Sequence, residues 1–337
     1  MAAYCGTGGT RECSAGRLES AGKAAPLGKG KGFVEMSDRQ KGVFLAVLCP
    51  CLWGIMGVFV RNITSTGIGV VDVSFFRCAA SGLLLLLFYA VTKPSVLKIS
   101  WKGRLISACY GIVAYSLSFV AYSISVSRIP VAVAMILMFL CPVWVTLFSA
   151  LLFHDRPSRQ QILAIIVCLC GAALSADLLS VGEVRLDGIG MLMGILNGMG
   201  AAMQIVVPRY FSDRYSKDTM VVYGFLGAAI ALLFFVNVGE ITTAFQTSNV
   251  VQLGASIFAV SVLCTMVANV AFVKSTEYIT GTETSILSAL EVVVGSLAGF
   301  LVYHEHLNPL QLLGMVLVIS GALSTQVHWG KLLRRKA

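Results

Sequence analysis

Six residues inside apolar stretches carry groups that could do chemistry: Glu291, Arg77, Asn197, Gln204, Asn269 and Trp53. Glu291 interrupts ILSALEVVVGSLAGFLVYHEHLNPLQ, residues 286–311. It falls ten residues into a helical stretch, about 15 Å deep at 1.5 Å per residue and so near a bilayer midplane. A carboxylate at that depth costs about 3 kcal/mol on insertion scales. It therefore faces a central cavity or a neighbouring helix rather than lipid. A carboxylate that gains and loses a proton there could couple solute movement to a proton gradient, or could bind a cationic group of a substrate. The alternative is a protonated glutamate bonded between helices, or an ion-paired lock.

Arg77 is the second deep charge. Its guanidinium stays protonated and needs a counter-ion, carbonyls or water. It could hold a substrate carboxylate, pair with Asp72 or Glu291, or cap backbone carbonyls. Asn197 and Gln204 are seven residues apart and share a helix face. They and Asn269 could line a polar cavity, against the alternative of bonding between helices. Trp53 could stack on a substrate ring or cation, or simply pack between helices.

The elements that must position these residues are membrane helices. The chain has 337 residues, 57% hydrophobic and only 12% charged, about half the charged fraction of a soluble domain. Its apolar stretches are continuous rather than alternating, which predicts helices and excludes a barrel. Ten are expected: 43–60, 68–92, 105–126, 130–153, 160–176, 188–207, 219–238, 253–273, 281–303 and 309–327, with short connections. Residues 1–35 carry no long apolar core and so no secretory signal. They are expected to form a disordered cytoplasmic tail, with Met36 an alternative start. Residues 329–337 form a basic cytoplasmic C-terminus.

With a cytoplasmic N-terminus, all but four of the 25 basic residues fall inside, the exceptions being Arg61, Arg128, Arg185 and the membrane-embedded Arg77. Such asymmetry orients membrane proteins. The net charge of +9 is thus a topology signal spread over several loops, not a nucleic-acid surface. The cysteines lack histidine partners at metal-ligand spacing and are expected to pack as small apolar residues. The string HEHLN at His304 lacks the second histidine of a zinc helix. No cofactor or metal is expected. No phosphate-binding Gly-x-x-x-x-Gly-Lys-Ser/Thr loop is present either, and no enzyme is expected.

The stretch from Ile129 aligns with that from Ile279 without gaps, matching Ile136 with Ile286, Leu140 with Leu290, His154 with His304, Gln161 with Gln311 and Gly171 with Gly321. The two blocks, 42–178 and 187–328, hold five expected helices each. An odd number inserts the second block upside down, a basis for alternating access around a midplane site. Gly190, Gly194 and Gly198 form a small-residue stripe for close helix contact. Pro50 and Pro142 break the backbone ladder of the first and fourth helices.

Four stretches resemble the EamA family of the drug/metabolite transporter superfamily: LWGIMGVFVR (52–61), FFRCAASGLLLLL (75–87), LCPVWVTLFSALLFHDR (140–156) and LEVVVGSLAGFLVYHE (290–305). The likeness covers residues 42–328. It implies ten helices in two inverted repeats and secondary transport of small metabolites across the cell membrane. Export of amino acids or related solutes is frequent in the family and is the leading expectation. An uptake permease is the alternative; a sensor or scaffold ranks below both. Departures are Val292 where proline is frequent, which predicts a ninth helix without the usual kink, Asp155 for glutamate, and His154 and His304 for glycine.

Overall fold

A computed structural model describes residues 36–176, 187–304 and 306–326. The expected N-terminal tail and basic C-terminus lie outside the described residues, as do 177–186, 305, 327 and 328. The described regular elements are all helices: α1 (Asp38–Thr64), α2 (Val70–Thr92), α3 (Trp101–Gly111), α4 (Ser118–Arg128), α5 (Val131–Met138), α6 (Cys141–Phe153), α7 (Arg159–Ser175) and α8 (Gly188–Tyr210). They continue with α9 (Lys217–Leu233), α10 (Val238–Thr247), α11 (Val250–Phe258), α12 (Ala268–Ser275), α13 (Gly281–Ser288), α14 (Leu290–Tyr303) and α15 (Pro309–Ser324).

Their ends follow from local chemistry. Ser37 with Gln40, Ser158 with Gln161, Thr280 with Glu283 and Asn308 with Gln311 form capping boxes, each satisfying two orphan N–H groups. His154 and His304 end α6 and α14 at φ 57° and 55°, the left-handed geometry that glycine adopts most readily.

Among the described residues, seven helical stretches are long and apolar enough to cross a membrane, or up to eight if α9 and α10, bent by 94°, count as one; α7 and α15 are shorter apolar helices. Several expected boundaries change. The third and eighth stretches are continuous over Trp101–Arg128 and Val250–Ser275, but each contains π-helical turns, at Ile112–Leu117 and Ala259–Val267. The fourth is interrupted at Phe139–Leu140 and the ninth at Ala289. Pro142 therefore opens α6 instead of breaking a continuous helix. The ninth helix interrupts without proline, contrary to the expectation from Val292. The N–H groups of Ala289 and Val292 bond three residues back, to Ile286 and Ala289, at 3.2 and 3.1 Å, a tightened turn that needs no proline. Residues 238–247 hold a helix where a simple connection was expected.

Buried residues form several apolar clusters. The largest joins α2, the π turn at 112–117 and α9, with the Tyr115 and Phe225 rings stacked at 4.4 Å. A second collects Cys49, Cys141, Val145, Ala202, Ile205, Ala268 and Phe272, with Trp53 and Trp144 against them.

Contacts recur between the two sequence blocks. Helix α2 packs on α9 and α7 on α15, while α1 against α12 and α14 is matched by α8 against α4 and α6. Individual residues repeat the pattern. Gly42 admits Ile279 as Gly190 admits Ile129. Gly171 meets the Gly314 carbonyl and Val318, and Gly321 meets the Ala164 carbonyl and Cys168. A Cβ at any of these glycines would collide with the facing helix.

Candidate functional site

Glu291 stands in the first turn of α14, just after the interruption at Ala289. Its side chain is partly exposed. Its carboxyl interacts electrostatically with Arg77 of α2, Cys49 of α1, Tyr122 of α4 and Cys141 of α6. Four helices thus face it. Cys141 occupies the position that matches Glu291 in the other block, so the two blocks present corresponding positions to each other here. A helix start is a favourable place for negative charge, because its free N–H groups point toward the carboxylate.

Arg77 is buried. Its Nε donates to Thr265 Oγ1 at 2.8 Å, and its guanidinium lies 4.2 Å from the Phe119 ring centre. Among the described residues it forms no ion pair with Glu291 or Asp72. Asp72 instead accepts from the Asn237 backbone N–H at 2.9 Å, fixing the bend between α9 and α10. Thr265 lies in the π-helical turn and donates to the Val260 carbonyl at 2.8 Å, and Asn269 Nδ2 donates to the Thr265 carbonyl at 2.8 Å. The wide turn exposes carbonyls that an α-helix would occupy, and these polar side chains take them up. Arg77, Thr265 and Asn269 form one bonded chain beside Glu291.

Asn197 and Gln204 are buried and join α8 to the third stretch. Ser118 Oγ donates to Asn197 Oδ1 at 2.7 Å, and Gln204 Nε2 donates to the Ala114 carbonyl at 3.1 Å, within the other π-helical turn. Three buried amide atoms, Asn197 Nδ2, Gln204 Oε1 and Asn269 Oδ1, have no protein hydrogen-bond partner. Leaving such atoms unbonded costs about 1–3 kcal/mol each. Trp53 packs on Phe272, ring centres 5.1 Å apart, within the cluster that holds Cys49 and Cys141. Its neighbour Gly54 lets α14 approach: a Cβ there would lie 2.6 Å from the Val294 Cβ.

The structure therefore gathers Glu291, Arg77, Asn269 and Trp53 into one neighbourhood, and turns Asn197 and Gln204 toward the third stretch. Sequence reasoning missed Tyr122, Thr265 and Phe119. Nothing in their spacing distinguishes them; they are found only once the π-helical turns and the α2–α4 contact are known.

A cavity of about 550 Å³ lies elsewhere, between the α6–α7 loop, the end of α8 and the α12–α13 turn. Its walls carry Arg39, Asp155, Arg156, Arg209, Glu277 and Glu283 among hydroxyl side chains, and none of the six expected residues lines it. Arg39 pairs with Glu283 at 3.1 Å. Arg209 pairs with Asp155 in two prongs, Nη2 to Oδ1 at 3.2 Å and Nη1 to Oδ2.

Apolar helices of this number and length, with ionisable groups gathered between them, define an integral membrane protein of the all-α, polytopic class. The EamA-like transporter family model matches residues 40–176 and 188–325. The chain belongs to that family.

Among curated relatives, an uncharacterized transporter of Helicobacter pylori (strain J99) is 28% identical over 53% of this chain, and the chain spans only 59% of its length. The pseudopaline exporter CntI of Pseudomonas aeruginosa (strain UCBPP-PA14) is 25% identical over 85% of this chain and 95% of its own. The threonine/homoserine exporter RhtA of Escherichia coli (strain K12) is 26% identical over 77% of this chain and 82% of its own. A solved crystal structure covers 84% of this chain and 96% of its own with a TM-score of 0.65 at 15% identity, a likeness of fold.

Proposed function

We propose that the protein is a secondary transporter that exports small zwitterionic, amino-acid-like metabolites, with Glu291 as the proton-coupling or substrate-charge site. The observation that carries this reading is the position of Glu291: a partly exposed carboxylate at a helix start, facing α1, α2, α4 and α6, with Arg77 as the nearby cation. A zwitterion satisfies both charges. Two relatives are named as exporters, and one of those names specifies amino acids.

Ten crossings in two inverted halves, 42–178 and 187–328, complete the proposal. Helices α9, α7 and α15, of 17, 17 and 16 residues, extend about 25 Å, near the lower limit for a bilayer core. Inversion is supported by the cavity walls, which hold both Arg39 at the start of α1 and Arg209 at the end of α8. Helices related by the repeat thus run in opposite directions. Helix α1 touches α2, α11, α12, α13 and α14, yet only six of its 27 residues are buried. The Lys- and Arg-rich loops support a cytoplasmic side for both termini and for the cavity. The cavity then serves as the entry vestibule, its paired charges keeping it hydrated.

The test is flux in reconstituted vesicles across a panel of zwitterionic, cationic and anionic metabolites, with and without an imposed pH gradient. Zwitterions should move and the gradient should accelerate them. Glu291→Gln should elute and melt like the parent while losing the gradient dependence. Gradient-driven flux that survives the substitution removes Glu291 as the coupling group. No flux for any member of the panel overturns the transporter assignment.

A further inference from the structure

Two helix ends carry the same contact. Arg61, in the last turn of α1, lays its guanidinium over the Tyr303 ring at 4.2 Å, and the Tyr303 hydroxyl donates to the Val58 carbonyl at 3.2 Å. Arg209, in the last turn of α8, lies over the Phe153 ring at 4.0 Å and grips Asp155. Phe153 and Tyr303 are matched positions of the two blocks. Arg61 and Arg209 stand in the same register that relates the Gly42–Ile279 contact to Gly190–Ile129. The residue matching Asp155 in sequence, Glu305, lies outside the described residues.

Each contact bridges the two blocks: α1 to α14 in one, α8 to α6 in the other. They are also far apart. Arg39 and Arg209 line one cavity, and Arg61 lies about 33 Å further along α1 at 1.5 Å per residue, roughly a hydrocarbon thickness away. Both residues sit outside the Glu291 neighbourhood.

We propose that these contacts are a matched pair of gate clasps, one at each membrane face. Arg209 with Phe153 and Asp155 closes the cavity end, Arg61 with Tyr303 closes the far end, and opening toward either face requires breaking the clasp at that face. Both are closed in this structure. A cation over a ring, partly exposed, is strong enough to bias an equilibrium and weak enough to break in each cycle. Arg61 and Arg209 act as positioning residues and touch no substrate in this scheme. The inference rests on the alternating-halves reading given under Proposed function.

The test needs no substrate. Cys141, beside Glu291, is the reporter in a full-length variant with its other cysteines replaced. A membrane-impermeant maleimide is applied to sealed vesicles of each orientation. Arg209→Ala should raise the labelling rate from the cavity face about fivefold, the shift expected from one such contact, and leave the far face unchanged or slower. Arg61→Ala should do the mirror image. Phe153→Leu and Tyr303→Leu, which keep bulk and remove the ring face, should follow their arginines, and Arg209→Lys should fall between parent and alanine, because an ammonium cannot keep both the two-pronged grip on Asp155 and the flat ring contact. Melting in detergent identifies a variant that has simply unfolded, and the leucine pair then decides. Both arginine variants opening the same face, or labelling unmoved from either face in folded variants, overturns the clasps. Mirrored labelling without flux for any metabolite would sink the transporter reading and leave the clasps standing.

Discussion

At the scale of single residues, the contacts of Arg77 predict a structural part for it beside the charge it offers a zwitterion. Its Nε bond to Thr265 and its contact with Phe119 tie α2 to both π-containing stretches. A hydrogen bond to a charged group contributes about 1.5–3 kcal/mol and a desolvated cation–π contact up to about 2 kcal/mol. Arg77→Ala should therefore destabilise the protein by about 2–4 kcal/mol in a detergent melting or unfolding assay. Arg77→Lys should fall between, because an ammonium cannot keep both the Nε bond and the flat ring contact. An alanine variant that melts like the parent but loses substrate affinity would make Arg77 a binding group instead.

Residue identity in the sequence was a partial guide at this scale. Glu291 and Arg77 stand out because a charge deep in an apolar stretch is costly wherever it goes. The matched pairs His154–His304 and Gln161–Gln311 stand out equally, but their cause is backbone geometry. The histidines end helices in the left-handed region, and the glutamines close capping boxes. Tyr122 and Thr265 gave no signal, since a tyrosine or threonine in an apolar helix is unremarkable until its neighbours are known.

At the scale of elements, glycines bring the backbones of α7 and α15 together, an approach that the match of Gly171 with Gly321 as repeat positions did not announce. A Cβ on Gly314 would lie 2.6 Å from the Gly171 carbonyl oxygen. Gly314→Ala should force the helices apart and cost roughly 1–3 kcal/mol, the usual penalty for overpacking, read as a lowered melting temperature. Gly57→Ala, with nothing within 4 Å of the added carbon, is the control and should be neutral or slightly stabilising. The all-helical class and the approximate limits of the apolar stretches were legible because long apolar runs have few other fates. The π-helical turns, the interruption at Ala289 and the bend after α9 were not. The turns and the bend each meet a partner distant in sequence: Gln204 at the turn at 112–117, Arg77 at the turn at 259–267, Asp72 at the bend.

At the scale of the whole molecule, the proposed orientation rests on the basic loops and is open to direct test. A cysteine placed at Lys102 should react with an impermeant reagent only after the membrane is opened. One placed at Ser65, in the loop between α1 and α2, should react in intact cells. The reverse pattern would turn the protein over and make the 550 Å³ cavity an outward-facing vestibule.

A body that rocks must have a line along which nothing moves much. Helices α7 and α15, with glycine facing carbonyl along their crossing, have no room to slide past one another. If the halves tilt, that crossing is the fulcrum, and travel grows with distance from it. Helices α1 and α8, whose partners lie elsewhere in the bundle, would sweep the longest arcs.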